Sequence, residues 1–197
     1  MFFRGKIKKM QQMQQNYFTF LKKCIMFIVD EKTRKEKLPA VFEYSIRYGL
    51  HYGEIYSPTD AIEGVAIWVR GKYATQTFWR VLRSGAAISA FKMGSAIGKK
   101  LSNAFEDVDA DREENITPPY MYLLSIGISP EKQGQGYGSK LLRSMFERLD
   151  SQNIPIYLET ETEKNASMYK KLGFEVVKEG ILHNLDFYLW EMIRRAQ

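Results

Sequence analysis

The chain has 197 residues, 45% of them apolar and 26% charged, a composition suited to one globular domain with a sizeable core. Its single cysteine, Cys24, excludes an intrachain disulfide and leans towards a reducing compartment; it lies in an apolar run, where buried filler is the expected role. The net charge of +6 does not mark the body of the chain as a nucleic-acid binder, because residues 1–37 carry ten Lys/Arg against three Asp/Glu and the other 160 residues carry 19 against 20.

From the N-terminus, "KKMQQMQQNYFTFLKKCI" repeats apolar side chains at three- and four-residue steps through Met10, Met13, Tyr17, Phe20, Leu21 and Cys24. This predicts an amphipathic helix with a basic, solvated face, an RNA or membrane-surface contact being the alternative. The longest apolar run there, "CIMFIV" at 24–29, is far short of the roughly 20 residues that span a bilayer, and no small-residue cleavage site accompanies it. Neither a membrane span nor a secretory leader is expected, and the cytoplasm is the expected compartment. "VFEYSIRYGL" is again helical in period, with Pro39 either in an early helical position or breaking the chain before it. "EIYS" and "GVAIWVRG" read as two strands about the turn "SPTDAIE". Residues 75–105 form a helical block containing several small residues, and "EDVDADREENITPP" reads as an acidic surface loop. Together they make an insertion over 75–117 that either caps a site or packs as ordinary structure.

"YMYLLSIGIS", 120–129, is a nearly continuous apolar run and predicts a strand covered on both faces, with Gly127 suggesting a bulge or a close backbone approach. After a glycine-rich turn, "SKLLRSMFERLD" puts Leu141, Leu142, Met145, Phe146 and Leu149 on one helical face. "PIYLET" is another strand, "KNASMYKKLGF" a short helix closed by Gly173, and "FEVVKEG" with "LDFYLWEMI" a final hairpin. There is no internal repeat. The order predicts a single α/β domain over 1–197 with a mixed sheet.

The turn "QGQGYG", 133–138, carries the chemistry. A strand running through glycines into a helix points backbone N–H groups and the positive end of the helix dipole at one place, which suits a phosphate. The spacing is wrong for a Walker A loop, since Ser139 and Lys140 follow Gly134 out of register, and wrong for a dinucleotide fingerprint, since the third glycine is misplaced. A plain tight turn is the remaining alternative.

Gln133, Gly136 and Gly138 fill Q/R-x-x-G-x-G/A, and "YLLSIGISPEKQGQGYGSKLL" resembles the central motif of the GNAT superfamily of acetyl-CoA-dependent N-acyltransferases. "NASMYKKLGF" resembles that family's next element, and residues 30–195 look like the branch containing puromycin N-acetyltransferase. Two features depart from that branch: residues 1–25 show no clear first strand, and Tyr120 and Leu124 stand where it often carries a His and an acid.

The resemblance implies the GNAT fold: a mixed, mostly antiparallel sheet with helices on both faces and a helical insertion between the early hairpin and the motif strand. It also implies acetyl transfer from acetyl-CoA to a primary amine by direct attack, with a small-molecule acceptor favoured. A protein or peptide amine and an inactive acyl-CoA-binding sensor are the alternatives. The backbone of Ile126, Gly127 and Ile128 would pair with the pantetheine arm. The backbone N–H groups of Gln133, Gly134, Gln135, Gly136, Tyr137, Gly138 and Ser139 would hold the pyrophosphate. Asn165 would bind the arm from the opposite side, and Tyr169 would stand near the departing sulfur as acid. For a base, Glu159 comes first, with Glu54 and Tyr122 behind it and a water relay as the alternative. His51 and His183 are too few and too far apart to suggest a metal site, and none is expected. No nucleic-acid partner is expected, and both a monomer and a homodimer are open.

Overall fold

The computed structural model describes residues 30–182 and 187–197; the expected N-terminal helix, Cys24 and His183 lie outside them. Helix α1, Glu31–Tyr52, begins at Asp30, whose carboxylate accepts hydrogen bonds from the Lys32 and Thr33 amides at 3.0 Å each. This cap starts the helix well before Pro39, which therefore neither opens nor breaks it but sits inside it. Leu38, Val41, Phe42, Ile46 and Tyr48 form its buried stripe.

Strands β1 (Gly53–Tyr56) and β2 (Gly64–Arg70) follow as an antiparallel pair. Helices α2 (Phe78–Arg83), α3 (Ala87–Met93) and α4 (Ser95–Asn115) make up the insertion. The acidic stretch 106–114 is not a loop but the second half of α4. The apolar spacing Ile97, Leu101, Phe105, Val108 continues through it, and no helix breaker occurs before Pro118. Val108 is 1% exposed, so the charged residues occupy the faces left over once this stripe is buried.

Strand β3 (Met121–Ile128) leads through a 3₁₀ turn at Pro130–Lys132 to α5 (Tyr137–Ser151). Then come β4 (Ile156–Thr160), α6 (Glu163–Lys171), β5 (Glu175–Leu182) and β6 (Phe187–Arg194). The six strands form one sheet in the order β1-β2-β3-β4-β6-β5, antiparallel except where β3 meets β4. Helices α1, α3 and α4 share a core with Val65, Ile67, Tyr122 and Tyr157 on one face of the sheet. Helices α5 and α6 share another with Ala66, Trp68, Leu123, Leu158 and Met192 on the opposite face. The α5 residues buried there are Leu141, Leu142, Met145, Phe146 and Leu149, the set its periodicity predicts.

The irregularity in β3 is not at Gly127, which pairs in register with Val65. It is at Leu124. Ser125 faces Ile67 and Leu123 faces Trp68, so Leu124 is the extra residue of a bulge.

Candidate functional site

Parallel strands β3 and β4 pair only through Met121–Ile156 and Tyr122–Tyr157 and then separate. The bulge at Leu124 lies just past the last of these pairs, where it turns β3 away. The resulting crevice is lined by Leu124, Ser125 and Ile126 from β3, Glu159 at the end of β4, and Asn165 and Tyr169 of α6. Gly127 and Ile128 continue β3 beyond these lining residues.

Helix α6 is aimed by its cap. Thr162 Oγ1 accepts the Asn165 amide at 3.2 Å, and Gly173, with φ of +87°, closes the other end. Tyr169 is buried and meets the Phe174 ring edge-on at 5.5 Å between centroids. Burial, reinforced by the nearby Glu161 carboxylate, pushes its phenol above the ordinary range.

Glu159 is partly exposed as a residue, but its side chain is only 2% exposed. Its Oε2 accepts a hydrogen bond from the Tyr122 hydroxyl at 2.7 Å, and Arg112 Nη1 faces Oε1 at 3.5 Å, an ion-pair separation rather than a hydrogen bond. Burial pushes the carboxyl up to about 7, against the opposing pull of Arg112 and Tyr122. Directly across the ladder stands Glu191, buried, receiving the Tyr157 hydroxyl, and likewise pushed up to about 7 by burial and by the Glu159 charge. Arg112 itself is 1% exposed. Its guanidinium lies 4.9 Å over the Tyr122 ring, pairs with Asp109, and donates to Thr75 Oγ1 at 3.3 Å.

Glu54 does not line the crevice. It is clamped by both terminal nitrogens of Arg148, at 2.7 and 3.0 Å, and Arg148 together with Tyr56 holds its carboxyl below the usual range, which suits a structural ion pair better than a base. Tyr122 acts as a hydrogen-bond donor to Glu159, and burial and that carboxylate raise its pKa.

The turn after β3 is built for an open backbone. Gly134 and Gly136 have φ of +75° and +81°, the left-handed region that side chains resist, and among the described residues a Cβ at either would meet nothing within 4 Å. At Gly138 a Cβ would meet, among the described residues, only Ile128 at an ordinary 3.6 Å, so close packing against them does not call for glycine there. The Gln133 and Gln135 side chains donate back to the carbonyls of Ile128 at 3.0 Å and Glu131 at 2.8 Å; they brace the turn. Gly136 caps α5 with no side-chain acceptor, and the first turn of the helix holds no acid. Its leading N–H groups are therefore left for an external acceptor.

Arg112, Thr75 and Glu191 were not foreseen. Arg112 could have been found by continuing the apolar stripe of α4 one step past Val108; Glu191, in an apolar strand, carries no local signal of its partner.

Residues 52–174 match the family model described as "Acetyltransferase (GNAT) family", and the chain belongs to that family. An N-acetyltransferase of Schizosaccharomyces pombe described as uncharacterized is 28% identical over 149 residues, 74% of this chain and 60% of that protein. The chain thus spans less than two thirds of that relative's length. Among solved structures, a histone acetyltransferase HPA2 and related acetyltransferase from Corynebacterium glutamicum superposes with a TM-score of 0.64 at 20% identity, covering 98% of this chain and 93% of that one. A polyamine N-acetyltransferase of Drosophila melanogaster, which forms N-acetylagmatine, superposes with 0.60 at 12% identity, covering 97% and 95%. At these identities the likeness is one of fold, and the two names span protein and small-amine acceptors.

Proposed function

We propose that this chain transfers an acetyl group from acetyl-CoA to the primary amine of a small molecule by direct attack. The observation that carries this is the crevice between β3 and β4, where Glu159 and Tyr169 line one opening next to a glycine turn suited to a pyrophosphate. Family members use acetyl-CoA as cosubstrate, and the residues fit it. The positive-φ glycines leave their outer face open, packing against the described residues does not call for glycine at 138, and the first-turn amides of α5 lack a side-chain cap. In this reading the backbone of Ile126 to Ile128 and Asn165 hold the pantetheine arm, and the turn from Gln133 to Ser139 holds the pyrophosphate. The thioester supplies an activated acetyl group.

Glu159 takes the proton from the incoming ammonium. From an alkylammonium near 10.4, transfer to an ordinary glutamate is uphill by roughly 8 kcal/mol; to a carboxylate near 7 it is uphill by roughly 5. Burial thus makes Glu159 the stronger base, while Tyr122 and Arg112 fix its two oxygens. Tyr169, kept neutral by its raised pKa, hydrogen-bonds the departing sulfur. Full proton transfer from it would be uphill, because a thiol titrates near 8.5.

The family branch of puromycin N-acetyltransferase, a small amine acceptor and a cytoplasmic location belong to the same proposal. No helix among the described residues is long and apolar enough to cross a membrane. One feature favours a second acceptor class: the exposed Glu106, Glu113 and Glu114 of α4 would suit a basic peptide. Thiol release from acetyl-CoA, measured against a panel of small primary amines and of basic peptides, decides between them. Turnover with amines alone supports the proposal; turnover with peptides alone replaces the acceptor; binding of acetyl-CoA without release by either leaves a sensor.

A further inference from the structure

We propose that the outward faces of α2 and α3 dock this protein on an anionic phospholipid surface. Two consecutive helices turn large apolar side chains to solvent. Phe78 and Trp79 are 72% and 73% exposed, their rings packed edge-on at 5.4 Å, with Leu82 beside them one turn on. On α3, Ile88 is 56% and Phe91 89% exposed. The inward faces are satisfied: Val81 and Ala90 pack on the core and Met93 is buried within it. The outward residues are thus not a core awaiting completion by these helices.

Charge distinguishes the occupant. From Gly64 to Phe105 the chain holds seven Lys/Arg and no Asp/Glu. Arg83, Lys99 and Lys100 are exposed. Glu43, the α1 carboxylate that reaches Lys92 at 2.9 Å, has a side chain only 9% exposed and is shared with Arg47. Exposed Phe, Trp and Leu, with Arg83 closing α2 and Lys99 and Lys100 following in α4, suit an interface among anionic headgroups. The N-terminal segment of this chain, with six Lys/Arg and no acid over residues 1–29, would set like charge against the basic stretch around the patch. A second copy would set the basic stretch against itself. A single-stranded nucleic acid would meet rings but also Leu82 and Ile88, which offer no stacking face.

The test is sedimentation of the full chain with vesicles of phosphatidylcholine alone and of equimolar phosphatidylcholine and phosphatidylserine. The protein is expected to sediment with the second and not the first. Trp79→Ser combined with Phe91→Ser should abolish the binding while leaving Tm unchanged, because both side chains are already in solvent. Lys99→Gln with Lys100→Gln should weaken it about 25-fold, at about fivefold for each charge removed near the surface. The proposal is overturned by absence of binding to the serine-containing vesicles, or by binding that both double variants retain, which would assign it to residues 1–29. It is also overturned if the Trp79/Phe91 variant changes only dimerisation or RNA retention.

Discussion

Glu159→Gln tests whether the carboxyl at the mouth of β4 is held in an environment hostile to its charge. Glutamine has the shape of the protonated acid, and its carbonyl can still accept from Tyr122. The sign follows from linkage. In the unfolded chain Glu159 ionises near the ordinary 4.5, and in the fold near 7. Between those values the folded state holds the proton that the unfolded state has lost, so the wild type loses stability as pH rises through this window. The loss is complete above about pH 7 and amounts to about 3 kcal/mol. The variant lacks this titration. Urea midpoints at about pH 4.5 should nearly coincide for the two proteins. By about pH 8 the variant should be the more stable, by up to about 3 kcal/mol. Glu191, across the ladder, titrates in the same range in both proteins, and with a neutral neighbour it ionises more easily, which adds to the difference. The same variant should lose most of its acetyl-transfer rate. A stability difference that stays constant across pH would refute the buried-carboxyl argument and with it the case for Glu159 as base.

Tyr169→Phe should lower kcat about 100-fold with an active amine while acetyl-CoA affinity changes little, measured by thiol release and calorimetry. Arg112→Met should cost about 3 kcal/mol in urea denaturation, because it leaves Glu159 and Asp109 without their buried cation. Since Arg112 pulls the Glu159 pKa down, its removal should also move the rising limb of the kcat/KM profile to higher pH, with Arg112→Lys restoring part of both effects. Thr162→Ala should cost about 1 kcal/mol of stability through the lost α6 cap and raise KM for acetyl-CoA through misplacement of Asn165.

Much of the half of the chain that bears the crevice was legible from the residues. The stripe on α5, the strand either side of it and the capped α6 each combine a clean period with a local stop, so sequence and structure agree almost residue by residue. The other half was harder. In α4 the acidic composition hid an apolar spacing that carries on to Arg112, and that buried arginine finds partners distant in sequence, Glu159 and Tyr122 on two different strands and Thr75 ahead of α2, beside Asp109 on its own helix. Pro39 marks no boundary because Asp30, earlier in the chain, supplies the start. Glycine at 127 suggests an irregular point in β3, yet the bulge falls on Leu124, where the register between β2 and β3 shifts and no residue type announces it. The crevice itself depends on β3 and β4 separating, a property of pairing rather than of either strand.

The most direct measurement is calorimetric titration of the full chain with acetyl-CoA, beside the variant Gly136→Arg. A side chain at this left-handed position is strained by about 1–2 kcal/mol and projects into the open face of the turn. The wild type should bind with one site per chain, and the variant, folded by circular dichroism, should show no binding heat. A wild type that does not bind, or a variant that binds equally well, would contradict the assignment of this turn and crevice to acetyl-CoA.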